Sequence, residues 1–221
     1  MRWRSGREPD SALVPSKGDI AGGARRWYVG LLGVSTATDS AVIEASWREP
    51  DLFAVLFQRY AADVHRYTFR RVGPDLADDL VAATFLTAFA RRHKYDTAIA
   101  NARPWLFGIA TREISGHRRA ERARYRALAR VGERERWYDD FADRVVAEAT
   151  ARTAYPALSE ALARLRSGDR DCLLLYAWGD LSYEEVAAGL GIPIGTVRSR
   201  LNRARRKMRA ALDDVDPMTM Y

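Results

Sequence analysis

Near the C-terminal end of the chain, Arg198, Ser199, Arg200, Asn202, Arg203, Arg205, Arg206, Lys207 and Arg209 crowd into one stretch, separated only by Leu201, Ala204 and Met208. Guanidinium groups at this density suit a row of phosphates, and the short hydroxyl and amide of Ser199 and Asn202 suit base edges. That chemistry is recognition rather than bond making. No nucleophile with a neighbouring base, convergent acid cluster or phosphate-cradling glycine loop accompanies it, so an enzyme is disfavoured.

Recognition by such a row needs a rigid frame. Val197, Leu201, Ala204 and Met208 recur at helical spacing, giving a helix that docks by one stripe and turns its cations outward. At about 100° per residue, Ser199, Asn202, Arg203 and Arg206 lie opposite the stripe, with Arg198, Arg200 and Arg205 on its flanks. Helix-turn-helix proteins present the N-terminal part of the second helix to base edges. Ser199, Asn202 and Arg203 are therefore the expected base readers, and Arg198, Arg200 and Arg205 the expected phosphate contacts, with Arg206 too far along. A preceding helix is signalled by Ser182 and Glu185, the spacing of a capping box, with Val186, Ala187 and Leu190 on its inner side. Gly191 fits a left-handed terminator and Pro193 the start of the next helix. A solvated basic face is the plainer alternative, but the capped helix, tight turn and polar residues together favour DNA.

The whole chain has 221 residues and a formal net charge of +7, with an isoelectric point near 9.8, which fits a polyanionic partner without choosing between nucleic acid and membrane surface. Its one cysteine, Cys172, lies in the apolar run CLLLYAW and reads as a buried thiol. His65, His93 and His117 are dispersed without paired cysteines, so neither a metal nor any other cofactor is expected. No apolar run approaches a membrane span and no secretory core is visible at the N-terminus, so the expected location is cytoplasmic.

The remaining sequence reads as all-α. Residues 1–45 lack sustained periodicity and are expected to be mostly disordered, apart from a short apolar patch at Trp27–Leu32. Residues 46–122 form the first helical region. Phe53, Leu56, Phe57, Tyr60, Val64 and Tyr67 keep a helical period, and Ala77 to Arg92 forms a second helix with Asp78 and Asp79 expected in its first turn. After the polar loop His93–Arg103, Pro104 opens a third helix whose later half is an arginine-rich face. Lys94, Tyr95 and Asp96 offer the aromatic, cationic and hydrogen-bonding groups that can hold an unstacked base, while Trp105 and Phe107 read mainly as core. Residues 123–154 read as a linker with some helix, residues 155–213 as the helix-turn-helix domain, including a helix from about Asp169 to Trp178, and residues 214–221 as a tail.

Two helical regions in this order, carrying ADDLVAATFLTAF, PWLFGIATRE and LSYEEVAAGLGIPIGTVRSRLNRARRKM, resemble the extracytoplasmic-function (ECF) group of bacterial RNA polymerase sigma factors between about Asp51 and Leu212. The resemblance implies a polymerase subunit that directs promoter-specific initiation. Its first region would bind the polymerase clamp helices through Asp78, Asp79, Leu80 and Phe85, and would recognise and open the minus-10 element through Lys94, Tyr95, Asp96, Arg112, Arg118 and Arg119. The second would read the minus-35 element through Thr196, Arg198, Ser199, Arg200, Asn202, Arg203 and Arg205. Linker residues Asp139, Asp140 and Asp143 would mimic nucleic-acid charge, and an anti-sigma factor is a further partner that the resemblance allows. Ala82 and Ala83 stand where many members carry Gln-Glu, and Arg112 where an Asn is frequent, which makes a phosphate contact the safer role for Arg112. The competing reading is an autonomous operator-binding regulator, but palindromic sites require a two-fold protein and no heptad seam is visible.

Overall fold

The computed structural model describes residues 37–129 and 156–213, and every regular element among them is helical. The patch at Trp27–Leu32, the acidic linker residues and the tail lie outside the described residues. The first region comprises α1 (Asp39–Ala45), a 3-10 turn (Pro50–Phe53), α2 (Ala54–Val72), α3 (Pro74–Arg91), a second 3-10 turn (Arg92–Lys94) and α4 (Arg103–Ala129). The second comprises α5 (Pro156–Ala163), α6 (Ser167–Ala177), α7 (Tyr183–Leu190) and α8 (Ile194–Asp213).

Helix α1 corrects the expectation of disorder up to residue 45. Seven residues are too few to show a periodic pattern, yet Thr38 caps the helix by accepting from the Ala41 amide, and Val42 and Ile43 are fully buried. The start of α3 is a second correction. Gly73 (φ 81°) breaks the chain and Pro74 opens the helix one turn earlier than the acids suggested. Asp75 therefore occupies the first turn, and Asp78 and Asp79 stand beyond it on the exposed side. Their charge is only weakly explained by the helix dipole, which acts within the first turn.

The first core gathers Leu56, Val64 and Tyr67 from α2, Ala77 and Ala88 from α3, and Leu106, Ile109 and Ile114 from α4. Aromatic rings meet edge to face at Phe53–Phe89 and Phe57–Phe85. In the second region Leu162, Leu165, Cys172, Leu175 and Val186 close over the stripe of Val197, Leu201, Ala204 and Met208, all of them buried as the periodicity implies. Helix α6 is ended by Trp178, and the left-handed residue that follows is Asp180 (φ 50°).

The two regions touch through glycine. Gly108 of α4 faces Gly189 of α7 so closely that a Cβ on Gly108 would overlap the Gly189 carbonyl, and one on Gly189 would lie 2.5 Å from the Pro104 carbonyl oxygen. Backbone meets backbone there, which only glycine permits. Arg71 extends the contact: this almost fully buried arginine of α2 reaches Asp171 of α6 at 2.7 Å and also donates to the Tyr67 hydroxyl at 2.6 Å.

Candidate nucleic-acid interface

Helix α7 aims α8. The Ser182 hydroxyl accepts from the Glu185 amide at 3.1 Å while the Glu185 carboxylate accepts from the Ser182 amide at 2.8 Å, completing the capping box. At its other end Gly191 adopts φ 67° and ψ 41°, and the Ile192 amide donates to the Ala187 carbonyl at 3.1 Å, reversing the chain within one turn. The Pro193 carbonyl then accepts from Thr196 and Val197, starting α8 immediately.

On α8 the outward arc and the flanks behave differently. Arg198, Ser199, Asn202, Arg206, Lys207 and Arg209 are exposed. Ser199 donates to the Thr196 carbonyl at 3.0 Å, which fixes its hydroxyl along the helix. Arg203 faces the flank beside α6, where it grips the buried Asp169 through Nη2 at 2.9 Å and Nε at 3.3 Å. That hydrogen-bonded pairing holds Arg203 above the usual arginine range. Arg203 is itself exposed, and its expected role as a base reader competes with this pairing, because a fork engaged on a carboxylate must leave it to reach guanine. Arg200 lies on the same flank, against Gly168 and the buried Cys172. Arg205 turns to the other flank, donating to the Tyr183 hydroxyl at 2.9 Å and lying 5.1 Å from the Tyr176 ring centroid. Arg200 and Arg205 thus brace the helix within its domain, and Arg198 keeps the free orientation expected of a phosphate contact.

The first region holds its candidates in a loop and on one helix. Lys94 and Asp96 are exposed. Tyr95 is buried: its ring lies 5.0 Å from Trp105 and its hydroxyl donates to the Ile99 carbonyl at 2.6 Å. Burial, with Asp39 behind it, pushes the phenol up to about 12. A ring so enclosed offers no face to a base, and its expected stacking role is corrected to that of a loop anchor. Arg112 is exposed and donates one Nη2 bond to the Gly189 carbonyl of the neighbouring region at 2.7 Å. Arg118 is half-buried and donates to the Arg71 carbonyl at 2.8 Å. Burial, reinforced by Arg71, pulls it down to about 9. Arg119 remains exposed.

On α3, Leu80 and Phe85 are buried in the bundle, which corrects their expected place on a partner surface. Asp78 and Asp79 are exposed, and Asp78 lies 3.2 Å from His65. The same helix exposes Leu86 to 69%, and Phe57 of α2, packed on Phe85, to 48%. Sequence reasoning missed Leu86. Its signal is an apolar residue that falls off the buried stripe of α3.

Among the described residues no cluster of His, Cys, Asp and Glu could hold a metal ion, and no helix is long and apolar enough to cross a membrane.

Residues 56–124 match the sigma-70 region 2 family and residues 156–208 match sigma-70 region 4. The probable RNA polymerase sigma-C factor of Mycobacterium bovis is 35% identical over 163 residues, covering 70% of this chain and 78% of that one. The ECF RNA polymerase sigma factor RpoE of Cereibacter sphaeroides is 30% identical over 164 residues, covering 73% of this chain and 87% of its own. Among solved structures, CnrH in complex with the cytosolic domain of CnrY aligns with a TM-score of 0.55 at 24% identity, over 80% of this chain and 99% of the other. RpoE of Bartonella quintana, in complex with the anti-sigma factor NepR, aligns with a TM-score of 0.52 at 22% identity, over 74% and 98%. These two likenesses concern the fold. Matches to both sigma regions, in the same order as the two helical regions, together with relatives of this coverage, make the chain a member of the ECF RNA polymerase sigma factors, proteins that direct promoter-specific transcription initiation.

Proposed function

We propose that the outward arc of α8, with Ser199 and Asn202 toward base edges and Thr196 and Arg198 beside them, reads duplex DNA at the minus-35 element. In the same reading, the loop 92–103, with Lys94 and Asp96 outward, engages the minus-10 element, and Arg119 contacts its backbone. The exposed face of α3 formed by Asp78, Asp79 and Leu86 binds the core polymerase. A protein like the NepR bound to the Bartonella neighbour is the second partner we propose.

One observation supports this reading above the others. The Gly191 turn leads directly into α8, whose apolar stripe is wholly buried while Arg198, Ser199 and Asn202 are exposed at the end that helix-turn-helix proteins place in the major groove. No catalytic side chain is required, because strand opening needs only that separated bases and phosphates be held better than paired ones. Each DNA-reading part is small, so either alone binds weakly, and tight binding requires polymerase to place both on one promoter at the same time.

The test is reconstitution with core RNA polymerase. The expected result is a stoichiometric complex that protects two promoter elements, while the free chain binds duplex DNA weakly and loses it steeply with salt. Tight binding by the free chain with a two-fold footprint, or absence of a complex, would overturn the reading.

A further inference from the structure

Helix α1 runs alongside the loop 92–103 and holds it at both ends. At the exit, the Asp39 amide donates to the Ala100 carbonyl at 3.1 Å, and the Asp39 Oδ2 accepts from the Ala102 amide at 2.8 Å and from the Tyr60 hydroxyl at 2.6 Å. Its Oδ1 pairs with Arg59. At the entry, just past the other end of α1, the Trp47 indole donates to the Arg92 carbonyl at 3.3 Å and its ring lies 5.7 Å from His93. Arg92 in turn donates to the Ser46 carbonyl at 3.4 Å.

Asp39 is 5% exposed. A carboxylate this buried is costly unless its charge and lone pairs are satisfied, and here both are satisfied by groups that define the loop or brace it. The interior of the loop closes on itself, with the Ala98 amide on Asp96 at 3.0 Å and the Arg103 amide on Asn101 at 2.9 Å. Its two ends continue into α3 and α4, and α1 with the residues just after it bonds to both.

We propose that α1 is a splint for the loop 92–103 and that Asp39 is the positioning residue through which it sets the loop's base preference in the minus-10 element. This rests on the reading of that loop as the minus-10 contact. Lys94 and Asp96 touch the DNA, and Asp39 acts through them without reaching it. Base discrimination depends on where the loop side chains stand, so a partial release of the exit end is expected to be visible as lost discrimination before it is visible as lost folding.

The experiment uses the full chain in holoenzyme and measures binding to single-stranded oligonucleotides carrying each base at each minus-10 position, alongside core affinity and thermal unfolding. Asp39→Ala should reduce base discrimination by ~10-fold, with core affinity little changed. Asp39→Asn, which keeps an oxygen for the Ala102 amide, should restore part of it. Should Asp39→Ala prove poorly folded, Tyr60→Phe removes one hydroxyl without emptying space, and it should weaken discrimination in the same positions. Unchanged discrimination in a folded Asp39→Ala protein, or a uniform loss for all bases that tracks only thermal stability, would overturn the splint. Lys94→Ala and Asp96→Ala separate the two levels. If they alter minus-10 preference and the Asp39 variants do not, the splint alone falls; if they have no effect, the reading of the loop falls with it.

Discussion

In the region from Pro156 to Asp213 most cations lie on one helix whose other side is core, whereas from Asp39 to Ala129 they are spread over several helices and a loop. The difference separates two ways of making a nucleic-acid surface. A single amphipathic helix sets packing and recognition on different sides by angle, although neighbours still engage the cations on its flanks. A loop has no such internal rule, and its shape depends on distant groups such as Asp39, Tyr60 and Trp47. Where recognition lies on a helix, a substitution should act locally. Where it lies on a loop, a substitution some way off should matter as much.

The largest expected effect tests the contact between the regions. Asp171→Ala leaves the buried Arg71 guanidinium without its carboxylate, and breaking such a pair costs on the order of 3–5 kcal/mol. Urea unfolding should show that loss, and small-angle scattering should show a more extended chain. An unchanged midpoint and radius would mean that water or another group takes up the charge. Next, Leu201→Ala in the fully buried stripe of α8 should cost roughly 2–5 kcal/mol, and it should weaken duplex binding through unfolding of the second region rather than through any contact. Comparable base preference among the molecules that remain folded is the check.

A smaller effect concerns the polymerase face. Asp78→Lys combined with Asp79→Lys should weaken the complex with core polymerase by about 10-fold or more, equivalent to ~1.4 kcal/mol, with circular dichroism unchanged. Leu86→Ser should weaken it independently. If the acid reversal binds core as well as the parent while Leu86→Ser does not, the contact is apolar and the acids serve solubility.

The contrast also decides what could be read from sequence. The second region was legible because its signals are local: the Ser182–Glu185 box, the Gly191 terminator and the Val197–Met208 stripe each occupy a few residues. The helices of the first region were equally clear, but its site was not. Tyr95 has the composition of a stacking residue, and only the position of Trp105 and the Ile99 carbonyl shows that its ring is enclosed. Helix α1 is too short to announce itself, and the role of Asp39 depends on partners 21 and 63 positions away. The intramolecular partners of Arg112 and Arg203 were hidden for a related reason. Helical angle places a side chain on a side, but it does not reveal that Gly189 or Asp169 waits there.

Promoter choice by the outward arc of α8 is the central claim, and the pair Asn202→Ala and Arg203→Ala tests it most directly. Holoenzymes carrying each variant would be bound to a library of minus-35 sequences at two salt concentrations. Asn202→Ala should lose about 1–3 kcal/mol of discrimination at one or two positions. Arg203→Ala, whose parent side chain is held by Asp169, should keep the parental preference and show only reduced thermal stability. Lost preference in Arg203→Ala together with unchanged preference in Asn202→Ala would contradict the account, because it would move base reading from the exposed arc to the flank.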